Sequence, residues 1–533
     1  MNENFKITAG LRLDGLFFDN QDLMTNKAIY DLEYIVDGEA RHIDTGKWPS
    51  AAITVSPRVG FSWDVLGDNS LKFRGGTGLF SGRLPLVFFT NMPTNSGMVQ
   101  YQAQIGETKT VIKGYNGPTI EKTNSKGQKE YYYDMSAFAG GLLKREQLLE
   151  KLNSLGFPNT ISPEDGTIPS EISAVDPKFK MPQVWKTSFA IDYNFPTSFP
   201  FSISAEGIFN KTINGVVIRD WSVKPVDGFS RLNGADNRPL FNEFKQKGPD
   251  GKNLPAAYVL ENTNKGYGYS GTLTMNMRPV EGLSLMAAYT HTVSKELTGM
   301  PGSNAASVLN YIGTIYGPND PGLHNSQYVT PDRFVASITH NDKSGNHFSF
   351  IYETWRGGYY YSYMTANDMN GDGYNYDLIY IPTDQQVADR EFRFVSADDE
   401  KRFMDFVHAD PYLSKNQGKY AEAYSVYSPW THTVDFSYKH DFKVKAGNST
   451  NILQLNVDIK NILNIFNSNW GVSKYMNPAL GEGRILKYEG YDKDGYATFS
   501  TAAAVNPGTQ MWNPSIGLGQ CWYASVGIKY MFN

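Results

Sequence analysis

Long and short connections alternate strictly along this chain, between about twelve segments in which apolar and polar residues themselves alternate. The last segment, Gln520 to Asn533, places Trp522, Tyr530 and Phe532 on one unbroken apolar side. A period of two puts successive side chains on opposite faces of a β-strand. Soluble domains have no reason to alternate connection lengths, whereas an outer-membrane barrel has short periplasmic turns and long outer loops. The pattern predicts an all-β, transmembrane antiparallel β-barrel, with a row of soluble β-sandwiches as the alternative.

The predicted strands are joined by short turns and by six long connections in strict alternation. We place the strands near residues 5–17, 53–65, 71–79, 184–195, 201–210, 267–278, 283–289, 333–339, 350–354, 434–439, 453–460 and 520–533. The long connections, which are expected to be extracellular, begin near Asp19, Leu84, Gly215, Thr298, Thr365 and Ile465.

Two of the long connections are predicted to contain a short helix. The first runs from Leu142 to Leu155, with Gly156 placed to cap its C-terminus. The second begins after a candidate N-cap, Ser396. Its apolar residues fall on one face: Phe403, Phe406 and Val407. A hairpin is expected in the last connection, around Asp494.

Composition narrows the classes of function. The chain has no apolar run of about 18 or more residues, which a membrane helix needs, although barrel strands need only about 9–11 residues each. A net charge of −5 gives no reason to expect nucleic acid as a partner. The single cysteine, Cys521, excludes an internal disulfide, and the eight histidines show no metal-ligand spacing. No catalytic constellation is present in the sequence, so we do not expect an enzyme.

Connection lengths also orient the chain, because the short turns of such barrels are periplasmic. The C-terminus is then periplasmic, and the last strand is expected to contact membrane lipid and the barrel-assembly machinery through Trp522, Tyr530 and Phe532. The first residues, MNENFKITAG, do not form a signal peptide. Two readings follow: a small autonomous barrel without its leader, or the C-terminal part of a larger barrel. In either case residues 1–533 are interpreted as one barrel domain.

Several segments, in order, carry a resemblance to one family and span nearly the whole chain. They are SPRVGFSWDVLGD, FRGGTGLFSGRLPLVFFTN, DPKFKMPQVWKTSFAIDYNFP, AYVLENTNKGYGYS, TPDRFVASITH, DMNGDGYNYDLIYIP, YLSKNQGKYAEAYSVYSPW and LQLNVDIKNILN. The chain resembles the barrel of Oar-like TonB-dependent outer-membrane receptors of Bacteroidota. The resemblance implies a barrel of twenty-two strands, of which roughly the last twelve are present here, without the N-terminal plug.

The same resemblance implies a function. Receptors of this family import a bulky or scarce extracellular solute across the outer membrane, and the inner-membrane TonB complex supplies energy through the plug. No residue here can be assigned to energy coupling, because the plug is not part of this sequence. The alternatives are an adhesion or assembly protein that the barrel anchors at the cell surface, and a passive porin.

Two sets of residues are candidates for a site. Asp368, Asn370, Asp372 and Asp377 resemble the start of a calcium loop, with oxygen side chains at alternate positions before a glycine. The twelfth position, Ile379, is not the expected Glu, and a turn rich in Asn, Asp and Gly explains the same residues. Calcium is the one cofactor considered. The second set comprises polar residues expected to face the lumen: Arg12, Asp14, Arg74, Glu206, Arg278, Asp458 and Lys460.

Overall fold

Twelve long antiparallel strands form one continuous sheet in the computed structural model. The structure describes residues 3–20, 23–98, 119–134, 144–154, 162–225, 229–241, 243–310, 312–447 and 449–532. The strands of the sheet are β1 (Phe5–Leu16), β2 (Ala52–Asp64), β3 (Leu71–Ser81), β4 (Gln183–Asn194), β5 (Phe201–Asp220), β6 (Tyr267–Met277), β7 (Leu283–Glu296), β8 (Asp332–Asn341), β9 (Asn346–Arg356), β10 (Thr431–Ala446), β11 (Ser449–Lys460) and β12 (Tyr523–Met531). Each lies where the alternation predicted a strand, although β5, β7, β9, β10 and β11 are longer than expected.

Each strand pairs with its neighbours in the sequence, so the sheet is a meander from β1 to β12. Within the described residues, β1 pairs only with β2 and β12 pairs only with β11. A small autonomous barrel, one of the two readings of the sequence, needs β1 to pair with β12, but the described pairings leave two free edges. A strand edge carries unpaired N–H and C=O groups, which hydrocarbon does not tolerate.

The strand register places polar residues on one face of the sheet and apolar residues on the other. Residues directly opposite each other in an antiparallel pair point to the same face. Following the partners from strand to strand, Ser62, Arg74, Ala190, Glu206 and Thr272 lie in one row on one face. We call this the polar face. The opposite, apolar face carries side chains such as Leu11, Leu273 and Val526, which are 67%, 54% and 71% exposed.

The connections lie at two ends of the sheet because successive strands run in opposite directions. The short turns between β2 and β3, β4 and β5, β6 and β7, β8 and β9, and β10 and β11 share one end with the start of β1 and the end of β12. The long connections share the other end: residues 17–51, 82–182, 221–266, 297–331, 357–430 and 461–522. We call these six connections the loop layer.

The loop layer has secondary structure of its own. Its helices are Lys27–Tyr30, Val87–Thr94, Arg145–Ser154, Ala305–Asn310, Asp384–Ala388 and Ala397–Ala409. Its short strands are Tyr34–Val36, Glu39–Arg41, Thr119–Thr123, Lys129–Tyr133, Glu171–Val175, Ala256–Thr263, His324–Asn325, Tyr360–Tyr361, Met364–Ala366, Tyr380–Ile381, Arg393–Phe394, Lys419–Tyr420, Val426–Tyr427, Lys474–Met476, Arg484–Tyr491, Ala497–Ser500 and Trp512–Pro514. Single 3₁₀ turns occupy Pro163–Asp165, Ile462–Ile465, Pro478–Gly483 and Leu518–Gln520. Among the helices that the structure describes, none combines the length and apolar character needed to cross a membrane.

Both predicted helices are present. Ser396 caps the helix Ala397–Ala409 by accepting a hydrogen bond from the backbone N–H of Asp399, and the predicted apolar face is buried. The first predicted helix is observed as Arg145–Ser154, and its expected cap, Gly156, lies outside the described residues. The hairpin expected around Asp494 joins Arg484–Tyr491 to Ala497–Ser500.

The hydrophobic core of the molecule lies in the loop layer. Of the described residues on the twelve strands, the buried apolar ones are Ala190 and, at the far end of β5, Val217 and Ile218. The largest buried cluster instead joins the connections after β5, β9 and β11, through side chains such as Leu232, Phe403 and Phe499. The six connections therefore pack into a folded layer, because each supplies apolar residues that only the others can cover.

Candidate functional site

The polar face collects the residues that were predicted to face the lumen. By strand register, Arg12, Asp14, Arg74, Glu206, Asp458 and Lys460 all point to this face. Arg278 directly follows β6, and in the alternation of that strand its even number assigns it to the same face. Its backbone N–H donates to the carbonyl oxygen of Pro200 at 2.9 Å. That placement puts Arg278 beside a short turn, away from the other candidates.

The charged residues of the polar face form separate ion pairs. Arg12 contacts Asp14, two residues along the same strand, at 2.7 Å. Lys460 on β11 contacts Asp435 on β10 at 2.6 Å, and the Asp458 carboxylate accepts a hydrogen bond from the Ser437 hydroxyl at 2.6 Å. Asp435 was not a candidate in the sequence, although its position in the alternation of β10 is that of a polar-face residue.

Arg74 is the centre of the largest of these groups. Its Nε lies 3.0 Å from Asp192 and its Nη1 lies 3.4 Å from Glu206. The contact with Glu206 crosses β4 above Ala190, which is only 1% exposed. A methyl group at position 190 is small enough to let the guanidinium reach over the strand, so the ion pair links β3, β4 and β5. Asp192 was missed as a candidate, although its even position on β4 marks it as polar.

The predicted calcium residues form a tight turn in the loop layer. The Asp368 carboxylate accepts hydrogen bonds from the backbone N–H groups of Gly371 and Gly373, at 2.7 and 2.9 Å. Asp372 accepts from the N–H of Tyr374 and from the side chain of Asn370. These bonds are those of an Asx-type turn. Across the described part of the chain, no three His, Cys, Asp or Glu side chains lie together so that they could hold a metal ion.

Asp377 accepts a hydrogen bond from the backbone N–H of Met369 in this turn, at 3.0 Å, and joins the turn to a buried ion network that the sequence did not reveal. Arg238 is fully buried and contacts Asp236 at 2.8 Å and Asp377 at 3.1 Å. Its Nη2 also donates to the carbonyl oxygen of Leu378 at 2.6 Å, and the Tyr420 hydroxyl donates to Asp236 at 3.0 Å. The network therefore ties the connection after β5 to the connection after β9.

Burial raises the pKa of two carboxyl groups next to this network. For Asp372, burial and the neighbouring charges of Asp377 and Asp368 raise the pKa to about 8. For Asp377, burial outweighs the adjacent Arg238 guanidinium and raises the pKa to about 6. Both carboxyl groups thus gain protons more readily in the folded loop than in an unfolded chain.

We expect the loop that contains Asp372 to become less stable as the pH rises. The pKa of Asp372 is higher in the folded than in the unfolded state, so protonated Asp372 stabilises the folded loop. This contribution to the free energy of unfolding is complete below about pH 4 and is lost as the pH passes about 8. Hydrogen exchange of peptides covering residues 363–381, corrected for the intrinsic effect of pH, measures this. Asp372→Asn should reduce the pH dependence of exchange to the part that Asp377 causes. An equally steep pH dependence in the variant would show that Asp372 is not the group that titrates.

Calcium binding at the same turn stays a prediction. If the ion binds, titration of the folded protein with calcium should release or absorb heat, and Asp368→Ala and Asp372→Ala should each abolish the signal. Asp405→Ala, which changes an exposed carboxylate on the helix Ala397–Ala409, is the matched control. Absence of heat in the unmutated protein would end the hypothesis and leave the turn a purely backbone structure.

Two polar clefts open where the end of β5 meets the loop layer, and both are lined by Arg219 and Asp37, which form an ion pair. One, of about 530 Å³, is lined by Arg41, Asp176 and Glu261 among others, and the second, of about 440 Å³, by Lys224 and Tyr316 among others. Arg219 lies 3.1 Å from Asp37 and 3.2 Å from Glu261. Volumes of this size match those of small-molecule sites.

Aromatic and charged groups are combined in the larger cleft. The Trp221 indole N–H donates to Glu261 at 2.7 Å, and the Arg41 guanidinium lies 5.6 Å from the centre of the Trp221 ring. Burial raises the pKa of Glu261 above its ordinary value, although Arg219 opposes this shift. Such a lining suits a polar solute that carries several hydrogen-bonding groups.

Of the three C-terminal aromatic residues predicted to contact the assembly machinery, one lies on the last strand and two lie just beyond its ends. Tyr530 lies on the apolar face of β12, and its hydroxyl accepts a hydrogen bond from the Asn451 side chain at 2.6 Å. Its ring meets Phe532 edge-on, with the ring centres 4.7 Å apart. Trp522 and Phe532 lie just outside the two ends of β12 and are 45% and 84% exposed. Recognition of these residues by an assembly machinery stays a prediction.

Comparison with known proteins identifies a family. The profile of the family described as "Outer membrane beta barrel domain" matches residues 1–483. No curated protein matches the chain.

Several solved outer-membrane proteins are similar to the chain in structure. The outer membrane transporter YddB from Escherichia coli is 10% identical, with a TM-score of 0.39, over 91% of this chain and 41% of that one. A mutant of the ferric enterobactin receptor PfeA from Pseudomonas aeruginosa is 9% identical, with a TM-score of 0.36, over 90% and 40%. The siderophore receptor PiuA from Acinetobacter baumannii is 8% identical, with a TM-score of 0.34, over 99% and 41%. The chain thus spans about two fifths of the length of these structures.

Proposed function

The chain belongs to the family of outer membrane β-barrel domains, and we propose that it works as a TonB-dependent receptor that imports a bulky or scarce solute. The observation that carries the proposal is the continuous polar face, which runs from the loop layer to the end with the short turns. A strand that only contacts lipid needs an apolar face toward the lipid, and contact with lipid does not require charged pairs on the opposite face. Charged pairs such as Arg74 with Asp192 therefore suit a wet path across the membrane.

In this proposal the loop layer is extracellular and the termini are periplasmic. The polar clefts beside Arg219 then face the medium, where they can capture a solute before it reaches the polar face. The resemblance to Oar-like receptors of Bacteroidota supports energy coupling through TonB. The coupling segment itself would belong to the plug of such a receptor.

Uptake measurements test this proposal. In a strain that lacks the gene, uptake of one class in a panel of labelled metal chelates, oligosaccharides and peptides should be lost. Inactivation of TonB should cause the same loss in the unmodified strain. Uptake that is unchanged by the deletion, or that does not depend on TonB, would refute active import.

A cell-surface adhesion protein is the second candidate, favoured by the hydrophobic core of the loop layer. A layer that is held by its own buried cluster, including Phe403 and Phe499, presents a rigid outer surface. Loss of cell attachment in the deletion strain, with uptake unchanged, would support this function instead.

We also propose that further strands complete the barrel along the free edges of β1 and β12. Free edges cannot remain in hydrocarbon, because each unpaired backbone group there is energetically costly. On a gel of outer membranes, an antibody against residues 417–430 should detect a heat-shifting species of about twice the 59.6 kDa of this chain. A heat-shifting species near 59.6 kDa would instead mean that the twelve strands close alone.

A further inference from the structure

Two cations of the polar face lie in one row across three strands. Arg58 on β2 is directly opposite Gly78 on β3, and Gly78 is directly opposite Lys186 on β4. All three positions point to the polar face. The Arg58 side chain leans over the glycine, since a Cβ added to Gly78 would lie only 2.9 Å from Cγ of Arg58.

A single aromatic ring contacts both cations. The Arg58 guanidinium lies 4.2 Å from the centre of the Phe80 ring, and the Lys186 ammonium lies 5.9 Å from it. Both distances fit cation–π contacts, which hold a charge in place without neutralising it. Phe80 therefore orients two positive charges toward a common space.

These cations differ from Arg74 in their electrostatic surroundings. Arg74 is paired with Asp192 and Glu206. In the described residues, neither Arg58 nor Lys186 has a carboxylate within ion-pair distance. Glu206 lines the same space but is held by Arg74, so a net positive charge remains beside Phe80.

The space is a cleft of about 490 Å³ with a floor of small residues. Gly10, Gly60, Gly76 and Ser188 line it together with the two cations. At Gly10 an added Cβ would meet no atom within 4 Å, so the cleft is open above this position. Thr8 and Ser188 add hydroxyl groups to the lining, so the two cations supply its positive charge and the hydroxyls supply further hydrogen bonds.

We propose that this cleft binds an anionic group, a carboxylate or a phosphate, carried by a solute on the polar face. The anion would lie in the cleft over Gly60 and Gly76, which Arg58 and Lys186 both line, where two charge-assisted contacts replace its hydration. The path by which the anion arrives rests on the proposed transport function. Binding to the purified protein does not depend on transport, so failed uptake and failed binding are separate results.

Calorimetric titration of the protein purified from outer membranes, in lipid nanodiscs at low ionic strength, tests the proposal with citrate and inorganic phosphate as probes. We expect saturable binding of at least one probe, and the difference between the two shows whether carboxylate or phosphate is preferred. The double variant Arg58→Gln with Lys186→Gln should weaken binding at least about tenfold. Gly10→Phe, which fills the cleft without changing its charge, should weaken binding similarly.

A matched control separates the cleft from the general charge of the polar face. Lys6→Gln with Lys529→Gln removes two exposed cations of the same face, on β1 and β12, and should leave binding within about twofold. The proposal is refuted if the natural protein binds neither probe, or if the control pair weakens binding as much as the cleft variants do. It is also refuted if binding survives both the double variant and Gly10→Phe.

Discussion

Replacing Arg238 with alanine should destabilise the loop layer by about 3–5 kcal/mol, because it leaves two buried carboxylates without their cation. Asp236 and Asp377 are 4% and 1% exposed, so water cannot take the place of the guanidinium. Hydrogen exchange of peptides from residues 229–241 and 363–381 reports the local free energy of opening. We expect these peptides to exchange at least about a hundredfold faster in Arg238→Ala.

Two further variants show whether the loss of stability in Arg238→Ala comes from the burial of its ion network. Lys401→Ala removes the cation of an exposed pair with Asp405, 2.6 Å apart in the helix Ala397–Ala409, and should change stability by about 0.5 kcal/mol or less. A triple variant, Arg238→Met with Asp236→Asn and Asp377→Asn, removes all the charges and should recover part of the lost protection. Equal effects of Arg238→Ala and Lys401→Ala would contradict the role of the buried network.

Replacing Leu273 with arginine should destabilise the membrane-inserted sheet by about 2–4 kcal/mol, because the side chain lies on the apolar face near the middle of β6. Leu273 is 54% exposed and lies between Ala205 and Tyr289 of the neighbouring strands. Charge at this depth must be dehydrated or must distort the bilayer. Urea titration of the protein purified from outer membranes and reconstituted in lipid vesicles, followed by tryptophan fluorescence, measures the loss.

The neighbouring residue is the natural control for this substitution. Thr274 points to the polar face, opposite Ser204 and Ala288, so Thr274→Arg places the same side chain at the same depth in a polar environment. We expect a change well below that of Leu273→Arg. If the two variants lose the same stability, the apolar face is not the surface that contacts lipid.

The division of the sheet into a polar and an apolar face could be predicted from the sequence, because it depends only on the order of neighbouring residues along each strand. A side chain on a strand changes face at every residue, so the position of Leu273 or Thr274 in the alternation already decides its environment. The same reasoning located the strands, and local capping located the helix after Ser396. Asp192 and Asp435 occupy polar positions in the same alternation, although the sequence analysis did not single them out.

The partners of the polar residues could not be predicted in the same way. Arg238 and Asp377 are 139 residues apart, and nothing local in either segment indicates the other. Asp377 had been interpreted as a possible calcium ligand because it follows Asp368 and Asp372, yet its carboxylate contacts Arg238. Contacts between different long connections depend on how those connections pack, which is a property of the whole layer.

By itself, the sequence determined the all-β architecture, the polar and apolar faces and the alternation of short and long connections, because all three follow from patterns of neighbouring residues. The tertiary structure alone decided that the core lies in the loop layer and that the clefts form beside Arg219. It also showed that Arg58 and Lys186 both contact the ring of Phe80 and line one cleft. These features join residues that are distant in the chain, and strand register and loop packing bring them together.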